Sequence, residues 1–130
     1  MKLYQAANPE MAVRHILQAA MEEKASDVHI APEEDGVYVR FRKDGKLSMF
    51  GKWPLSMAQG FSVRMKVLGG MNVGETRLPQ DGSFSETTDG VTWDFRISVM
   101  PTIKGETIVI RILSGAVDFI EKNHLGMTEF

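Results

Sequence analysis

The feature that most constrains the fold is a series of short segments in which apolar and polar residues alternate, each bounded by a turn signal. The first, "SDVHI", places Val28 and Ile30 on one side and Asp27 and His29 on the other. Alternation with period two is typical of strands that bury one face. The next, "VYVRFRKDGKLSMFGKW", predicts two strands around Asp44-Gly45, a pair typical of two-residue hairpin turns. These segments predict antiparallel hairpins.

The second half of the chain repeats this pattern. From Ser83 onward, "SFSETTDGVTWDFRISVMPTIKGETIVIRIL" predicts three strands, separated by Asp89-Gly90 and by residues 101–105. The preceding stretch "GETRLPQDGSF" has no periodicity and contains Pro79, so it is predicted to be an ordered loop. In the first half, Pro32 is predicted to end the "SDVHI" strand.

Two amphipathic helices are predicted beside these strands. "NPEMAVRHILQAAMEEKAS" begins with Asn8 as N-cap and Pro9 at the first helical position. "PLSMAQGFSVRMKVLGGMNV" offers Ser56 and Gln59 as a capping box and ends at Gly69-Gly70. Because the strands are linked by hairpins and do not alternate with helices, the predicted fold is an α+β sandwich, a largely antiparallel sheet with helices packed on one face.

Composition narrows the classes of function. The 130 residues, 43% of them hydrophobic, predict a single domain with one core. Fifteen basic and seventeen acidic residues give a net charge of -2, so nucleic acid is not an expected partner. There is no cysteine, which excludes a disulfide framework, a thiolate nucleophile and a Cys-type zinc site. The sequence has neither a signal peptide nor an apolar run of about 18 residues, which predicts a cytoplasmic protein.

Motifs for autonomous catalysis are also missing from the sequence. There is no G-x-x-x-x-G-K-[ST], so the chain does not cradle a nucleotide in the P-loop manner. His15, His29 and His124 are far apart and lie outside any metal-binding motif, so no metal site is predicted. We therefore expect the chain alone to hydrolyse nothing.

Arginines in the late strands are the remaining candidates for chemistry. Alternation places Arg96 and Arg111 on the side of their strands opposite the apolar residues, so both should leave the core face. One interpretation is that they form exposed ion pairs with nearby carboxylates, each contributing about 0 to 1 kcal/mol. The other is that they form, with Arg77, a cationic rim for an anion supplied from outside the domain. The carboxylates expected in the first interpretation are those of Asp94, Glu106 and Glu75.

The order of four segments resembles a known family: "ASDVHI", "VRFRKDGKL", "RMKVLGGMNVGETRLPQDGSF" and "DFRISVMPTIKGETIVIRIL". Over about residues 12–125 they resemble the N-terminal domain of the ATPases of type II secretion, type IV pilus assembly and competence pseudopili. The resemblance implies a PAS-like domain over residues 1–115 and, over 116–130, the start of a hinge toward a RecA-like motor domain that holds the P-loop. The chain is thus expected to be a fragment of a longer protein.

The resemblance also implies roles for residues and partners. Arg96 and Arg111 match arginines that reach toward ATP phosphates like arginine fingers, while Arg77, Gln80 and Asp81 match a loop with a structural or inter-domain role. Asp27, in "S-D-[IV]-H", is interpreted as a capped strand start. The implied cofactors are ATP and Mg²⁺ in the parent protein, with none bound by this domain alone. The implied partners are the RecA-like domain of the same chain, a homo-hexamer, and an inner-membrane platform protein that holds the complex at the cytoplasmic side.

Two other functions remain open at this stage. One is a free-standing PAS-like sensor or protein-interaction module, which predicts a sizeable pocket between the sheet and a helix. The other is a sheet that binds single-stranded nucleic acid, with Tyr38, Arg40, Arg42 and Trp93 as its stacking and phosphate-contacting surface.

Overall fold

The computed structural model describes residues 1–113, and these form a seven-stranded sheet with two α-helices packed on it. The α+β class is therefore confirmed. The sheet order is β1-β4-β3-β2-β7-β6-β5, and every neighbouring pair is antiparallel except β1 with β4. The hinge predicted over 116–130 lies outside the described residues. In chain order the elements are β1 Lys2–Leu3, α1 Pro9–Glu22, β2 Asp27–Glu33, β3 Gly36–Lys43, β4 Lys46–Trp53, a 3-10 turn Leu55–Met57, α2 Ala58–Gly69, β5 Gln80–Thr88, β6 Val91–Thr102 and β7 Gly105–Leu113.

One face of the sheet carries the core. Alternate residues of the central strands are buried, and the register places them side by side: Val28 faces both Phe41 and Ile110, and Ile110 faces Ile97. The helices cover this face with the apolar stripe that their periodicity predicted, in which Ile16 of α1 is fully buried. Since strand residues alternate between faces, the intervening polar residues lie together on the opposite, open face of the sheet.

The predicted caps and turns are largely confirmed. The side chain of Asn8 accepts a hydrogen bond from the backbone N–H of Glu10 at 2.8 Å, so it is the N-cap of α1. Asp44 and Gly45 both have positive φ, 52° and 79°, as a two-residue hairpin turn requires. Gly70 ends α2 in the left-handed conformation with φ 71°.

The predicted capping box at Ser56 and Gln59 is wrong. The chain enters α2 through the 3-10 turn, whose residue Met57 donates its backbone N–H to Pro54 at 2.9 Å. Met57 is the N-cap residue and makes no capping hydrogen bond with its side chain. The tighter turn supplies backbone partners locally, so the helix begins two residues beyond Ser56 without a side-chain cap.

Strand limits differ from the prediction where proline or glycine suggested a break. β2 continues through Pro32 because its pairing with β7 covers only residues 27–30, which leaves the proline with no strand on that side. β6 continues through Pro101 for the same reason, since its pairing with β5 ends at Val99. β5 begins at Gln80, within the predicted loop, because residues 80–82 pair with β6. The short strand β1 was not predicted.

Candidate functional site on the open face of the sheet

Five polar residues lie side by side across the open face because the register of five neighbouring strands aligns them. Arg42 of β3 faces Asp27 of β2, which faces Arg111 of β7. Arg111 faces Arg96 of β6, and Arg96 faces Ser83 of β5. We call these five residues the arginine row. The row carries three guanidiniums and one carboxylate, so its local charge is positive although the chain is acidic overall.

The carboxylate of Asp27 lies between two of these guanidiniums. Its Oδ1 is 3.5 Å from Nε of Arg111, and its Oδ2 is 3.7 Å from Nε of Arg42. Ser26 donates its hydroxyl to Oδ2 at 3.0 Å. The Asp27 side chain is only 12% exposed, whereas that of Arg111 is 69% exposed. The nearly buried carboxylate of Asp27 therefore contacts Nε of Arg111, while most of the Arg111 side chain is exposed to solvent.

Arg96 lies directly opposite Arg111, although like charges in that position destabilise a strand pair. Among residues 1–113 no carboxylate lies within 4.0 Å of the Arg96 guanidinium. The nearest acidic residue along the strand, Asp94, instead accepts a hydrogen bond from the Ser85 hydroxyl at 2.6 Å. Among residues 1–113, the pair of arginines thus has one carboxylate within 4.0 Å, that of Asp27, which also contacts Arg42.

A depression of about 580 Å³ opens beside this pair. Its lining combines the guanidiniums of Arg96 and Arg111 with the carboxylates of Asp27 and Asp81, and Ser83 and Ser98 also line it. Ser98 donates to Asp81 Oδ1 at 2.8 Å, which fixes that carboxylate at the rim. Guanidinium groups present planar sets of N–H donors that match the oxygens of phosphates and carboxylates. The depression therefore offers guanidinium donors to an anion, beside two carboxylates of its own lining.

His29 lies beside Asp27 on the same face, between Arg40 and Val109 in the register. Partial burial lowers its pKa below the usual value, and the neighbouring charge of Arg42 lowers it further. The imidazole is therefore neutral at neutral pH and adds no charge to the row.

Comparison with known proteins matches residues 4–130 to the family described as "Type II/IV secretion system protein". The chain belongs to this family. The family resemblance drawn from the four ordered sequence segments is thereby confirmed.

Curated relatives of this secretion-family chain are assembly ATPases and transport proteins. The type IV pilus assembly ATPase PilB of Thermus thermophilus is 37% identical over 114 residues, which are 88% of this chain and 13% of the relative. The HofB protein transport homolog of Escherichia coli K12 is 38% identical over 111 residues, 85% of this chain and 24% of the relative. The type II secretion system protein E of Xanthomonas campestris is 37% identical over 117 residues, which are 90% of this chain and 21% of the relative. The chain thus spans less than a quarter of the length of these relatives.

The ion pairs expected for the late-strand arginines of the secretion-family chain are not the ones that form. The Glu106 side chain is 10% exposed, and its Oε2 lies 2.9 Å from Nζ of Lys66. Glu75 accepts hydrogen bonds from the backbone N–H groups of Arg77 and Leu78 at 2.7 and 3.2 Å. The partner that sequence reasoning missed, Asp27, is 84 positions from Arg111. No spacing rule connects residues so far apart, because only the pairing of β2 with β7 brings them together.

The loop residues Arg77, Gln80 and Asp81 do not form one site with the row. The amide of Gln80 donates to the carbonyl of Asn72 and accepts from its N–H, both at 2.9 Å, and so it ties the loop to the start of β5. Asp81 contacts Ser98 and lines the depression, whereas Arg77 is exposed and is absent from its lining. An inter-domain role for these residues stays a prediction.

The surface expected for single-stranded nucleic acid is not assembled. Trp93 lies two residues before the buried Phe95, on the same face of β6. It packs against the core on the helix-covered face. Tyr38 and Arg40 lie on the open face. Because the tryptophan faces away from them, the four residues do not form one stacking surface.

Large side chains fill the middle of the space between the sheet and the helices. Phe41, Phe61, Phe95 and Met65 are all at most 1% exposed there. The depression beside Arg96 and Arg111 lies on the other face of the sheet. A second depression, of about 400 Å³, opens between the end of α1 and the β5–β6 hairpin and is lined by Met21 and Trp93, so the ligand pocket of a PAS-like sensor stays a prediction. Among residues 1–113, no helix has the length and apolarity required to cross a membrane.

Proposed function

We propose that this chain is the N-terminal domain of a secretion or pilus-assembly ATPase, and that Arg96 and Arg111 contact the phosphates of ATP held by a RecA-like motor domain of the same protein. The observation that carries the proposal is the cross-strand pairing of Arg96 with Arg111 on the open face, where both line one depression and Arg111 alone has a carboxylate within 4.0 Å among residues 1–113. The names of the pilus-assembly relatives, which are ATPases, support ATP as the source of the anion.

The energetics of the row favour an anion from outside the chain. Two like charges that face each other across strands cost free energy when nothing lies between them. A triphosphate brought over the depression would reverse this cost, because each guanidinium would donate charge-assisted hydrogen bonds to its oxygens. Exposed surface ion pairs contribute little, so pairing within the chain does not compete strongly with such a ligand.

In this function the motor domain supplies the P-loop and Mg²⁺, and the chain described here supplies cations. Negative charge spreads over the oxygens of the γ-phosphate during transfer, and fixed arginines lower the barrier by stabilising it. Arg96 is suited to this role because no carboxylate of residues 1–113 lies within 4.0 Å of its guanidinium. ATP binding would then draw the sheet toward the motor domain as a rigid body, and release of phosphate would free it.

The surroundings of such an ATPase complete the proposal. A homo-hexamer of the parent protein would act in the cytoplasm, at an inner-membrane platform protein, and drive the assembly of pilus or pseudopilus subunits. The names of the relatives, which refer to pilus assembly, type II secretion and protein transport, support this class of partner.

The test is ATP turnover by the complete protein with Arg96→Ala. We expect kcat to fall by about 10²-fold or more, as when one donor to a developing charge is removed. Arg14→Ala is the matched control, because Arg14 is an exposed arginine of α1 that pairs with Glu10 on the same helix. Wild-type turnover in both Arg96→Ala and Arg111→Ala would refute the assignment, and so would a gene product without a P-loop.

A further inference from the structure

Asp27 has a geometry that a strand-start cap does not require. The cap interpretation accounts for the hydroxyl of Ser26, which donates to Oδ2 at 3.0 Å. It does not account for Oδ1, which lies 3.5 Å from Nε of Arg111 on the next strand. The two oxygens of one nearly buried carboxylate therefore have separate partners, one local and one across the sheet.

We propose that Asp27 is a positioning residue that holds Arg111 for contact with phosphate, an inference that rests on the proposed function. The contact uses Nε alone. Among residues 1–113, the two terminal nitrogens of Arg111 make no hydrogen bond to protein. A guanidinium has five N–H donors, so anchoring it through Nε leaves its terminal fork available to an incoming anion.

Burial and charge both favour this role. Arg111 has a long side chain that would sample many rotamers at 69% exposure, and a carboxylate that is 12% exposed is a fixed anchor for it. The Asp27 charge also offsets part of the repulsion between Arg111 and Arg96, so the two guanidiniums can face each other before an anion arrives. On its other side, Arg42 shares the same carboxylate at 3.7 Å.

This role predicts a split between kcat and KM. Asp27→Asn keeps the size of the side chain and one oxygen acceptor but removes the charge. Arg111 would then be held less firmly, and kcat should fall by about tenfold because misplacement of a group that contacts the reacting atoms is costly. KM for ATP should stay unchanged or decrease, since the row becomes more positive and attracts the triphosphate more strongly.

The decisive experiment is a double-mutant cycle on ATP turnover by the complete protein. If Asp27 acts through Arg111, Asp27→Asn should lower kcat about tenfold in the wild type and should have no further effect in Arg111→Ala. In the Arg96→Ala background, the tenfold effect of Asp27→Asn should persist. An equal loss in the wild-type and Arg111→Ala backgrounds, or no loss in the wild type, would overturn the inference.

Controls separate positioning from folding. Ser26→Ala removes the local hydrogen bond to Asp27 and leaves its carboxylate, so it should keep wild-type kcat; a loss equal to that of Asp27→Asn would mean that the strand-start contact is what matters. If Asp27→Asn does not fold at the assay temperature, Asp27→Glu replaces it in the cycle, and the same dependence on Arg111 is expected. Failure of the proposed function has a different signature, because Arg96→Ala and Arg111→Ala would then both keep wild-type turnover.

Discussion

At the scale of single residues, the open-face site depends on close approach as much as on charge. Gly82 lines the depression and packs against the end of α2. A Cβ at this position would lie 2.5 Å from the carbonyl oxygen of Gly69, a backbone atom that cannot move aside cheaply. Glycine is therefore required here by contact with α2, within a strand that begins at Gln80 inside the stretch predicted to be a loop.

Gly82→Ala should destabilise the fold by about 1–3 kcal/mol, the usual cost of overpacking. Gly74→Ala is the control, because its added Cβ would meet only the Asn72 Oδ1 atom at an ordinary 3.6 Å. Urea unfolding followed by circular dichroism measures both. Equal stability of Gly82→Ala and the wild type would show that the contact with α2 is looser than described.

The arginines themselves illustrate what residue patterns can predict. Alternation alone indicated that Arg96 and Arg111 leave the core, and both are exposed on the open face. Their direct juxtaposition could not be predicted, because it depends on the register of β6 with β7. The partner Asp27 could not be predicted either, since its strand lies in the other half of the chain.

At the scale of elements, a buried ion pair connects α2 to the last hairpin. Nζ of Lys66 lies 2.9 Å from Oε2 of Glu106 at the start of β7, and donates to the carbonyl of Glu75 at 2.6 Å. The Lys66 side chain is 1% exposed and that of Glu106 is 10% exposed. One ammonium group thus fixes the helix, the hairpin and the loop that leads into β5.

Lys66→Met should destabilise the protein by about 3–5 kcal/mol, because it leaves the buried Glu106 carboxylate without its counter-ion. The double variant Lys66→Met with Glu106→Gln should recover part of this loss, since no unpaired charge remains. Lys104→Met is a matched control whose partner Glu34 is exposed at 4.0 Å, so its stability should change little. The urea concentrations at the midpoint of unfolding measure the stability of each variant. A Lys66→Met protein as stable as Lys104→Met would contradict the role of the Lys66–Glu106 pair.

Elements were predictable where local chemistry determines them. Asn8 begins α1, and Asp44-Gly45 turns the hairpin, because a side-chain cap and positive φ are local requirements. The entry to α2 was not predictable from Ser56, because a 3-10 turn replaced the side-chain cap. Strand limits at Pro32 and Pro101 depended on which neighbouring strand was absent, which is tertiary information.

At the scale of the whole molecule, the pairing of β2 with β7 joins the two halves of the chain. The strand order of the sheet places β2 and β7 in its interior, with β3 beside β2 and β6 beside β7. Asp27 lies in β2 and Arg111 in β7, so the contact that positions the arginine crosses the junction between the halves. The site therefore exists only when the two halves of the sheet have paired.

The most direct test of the central claim is a structure of the complete protein with Mg²⁺ and a non-hydrolysable ATP analogue. The account predicts that guanidinium nitrogens of both Arg96 and Arg111 lie about 3 Å from phosphate oxygens of the analogue, as charge-assisted hydrogen bonds require. It also predicts that Asp27 still contacts Nε of Arg111 in that state. A bound nucleotide with both arginines directed at solvent, or at a protein surface away from the phosphates, would contradict it.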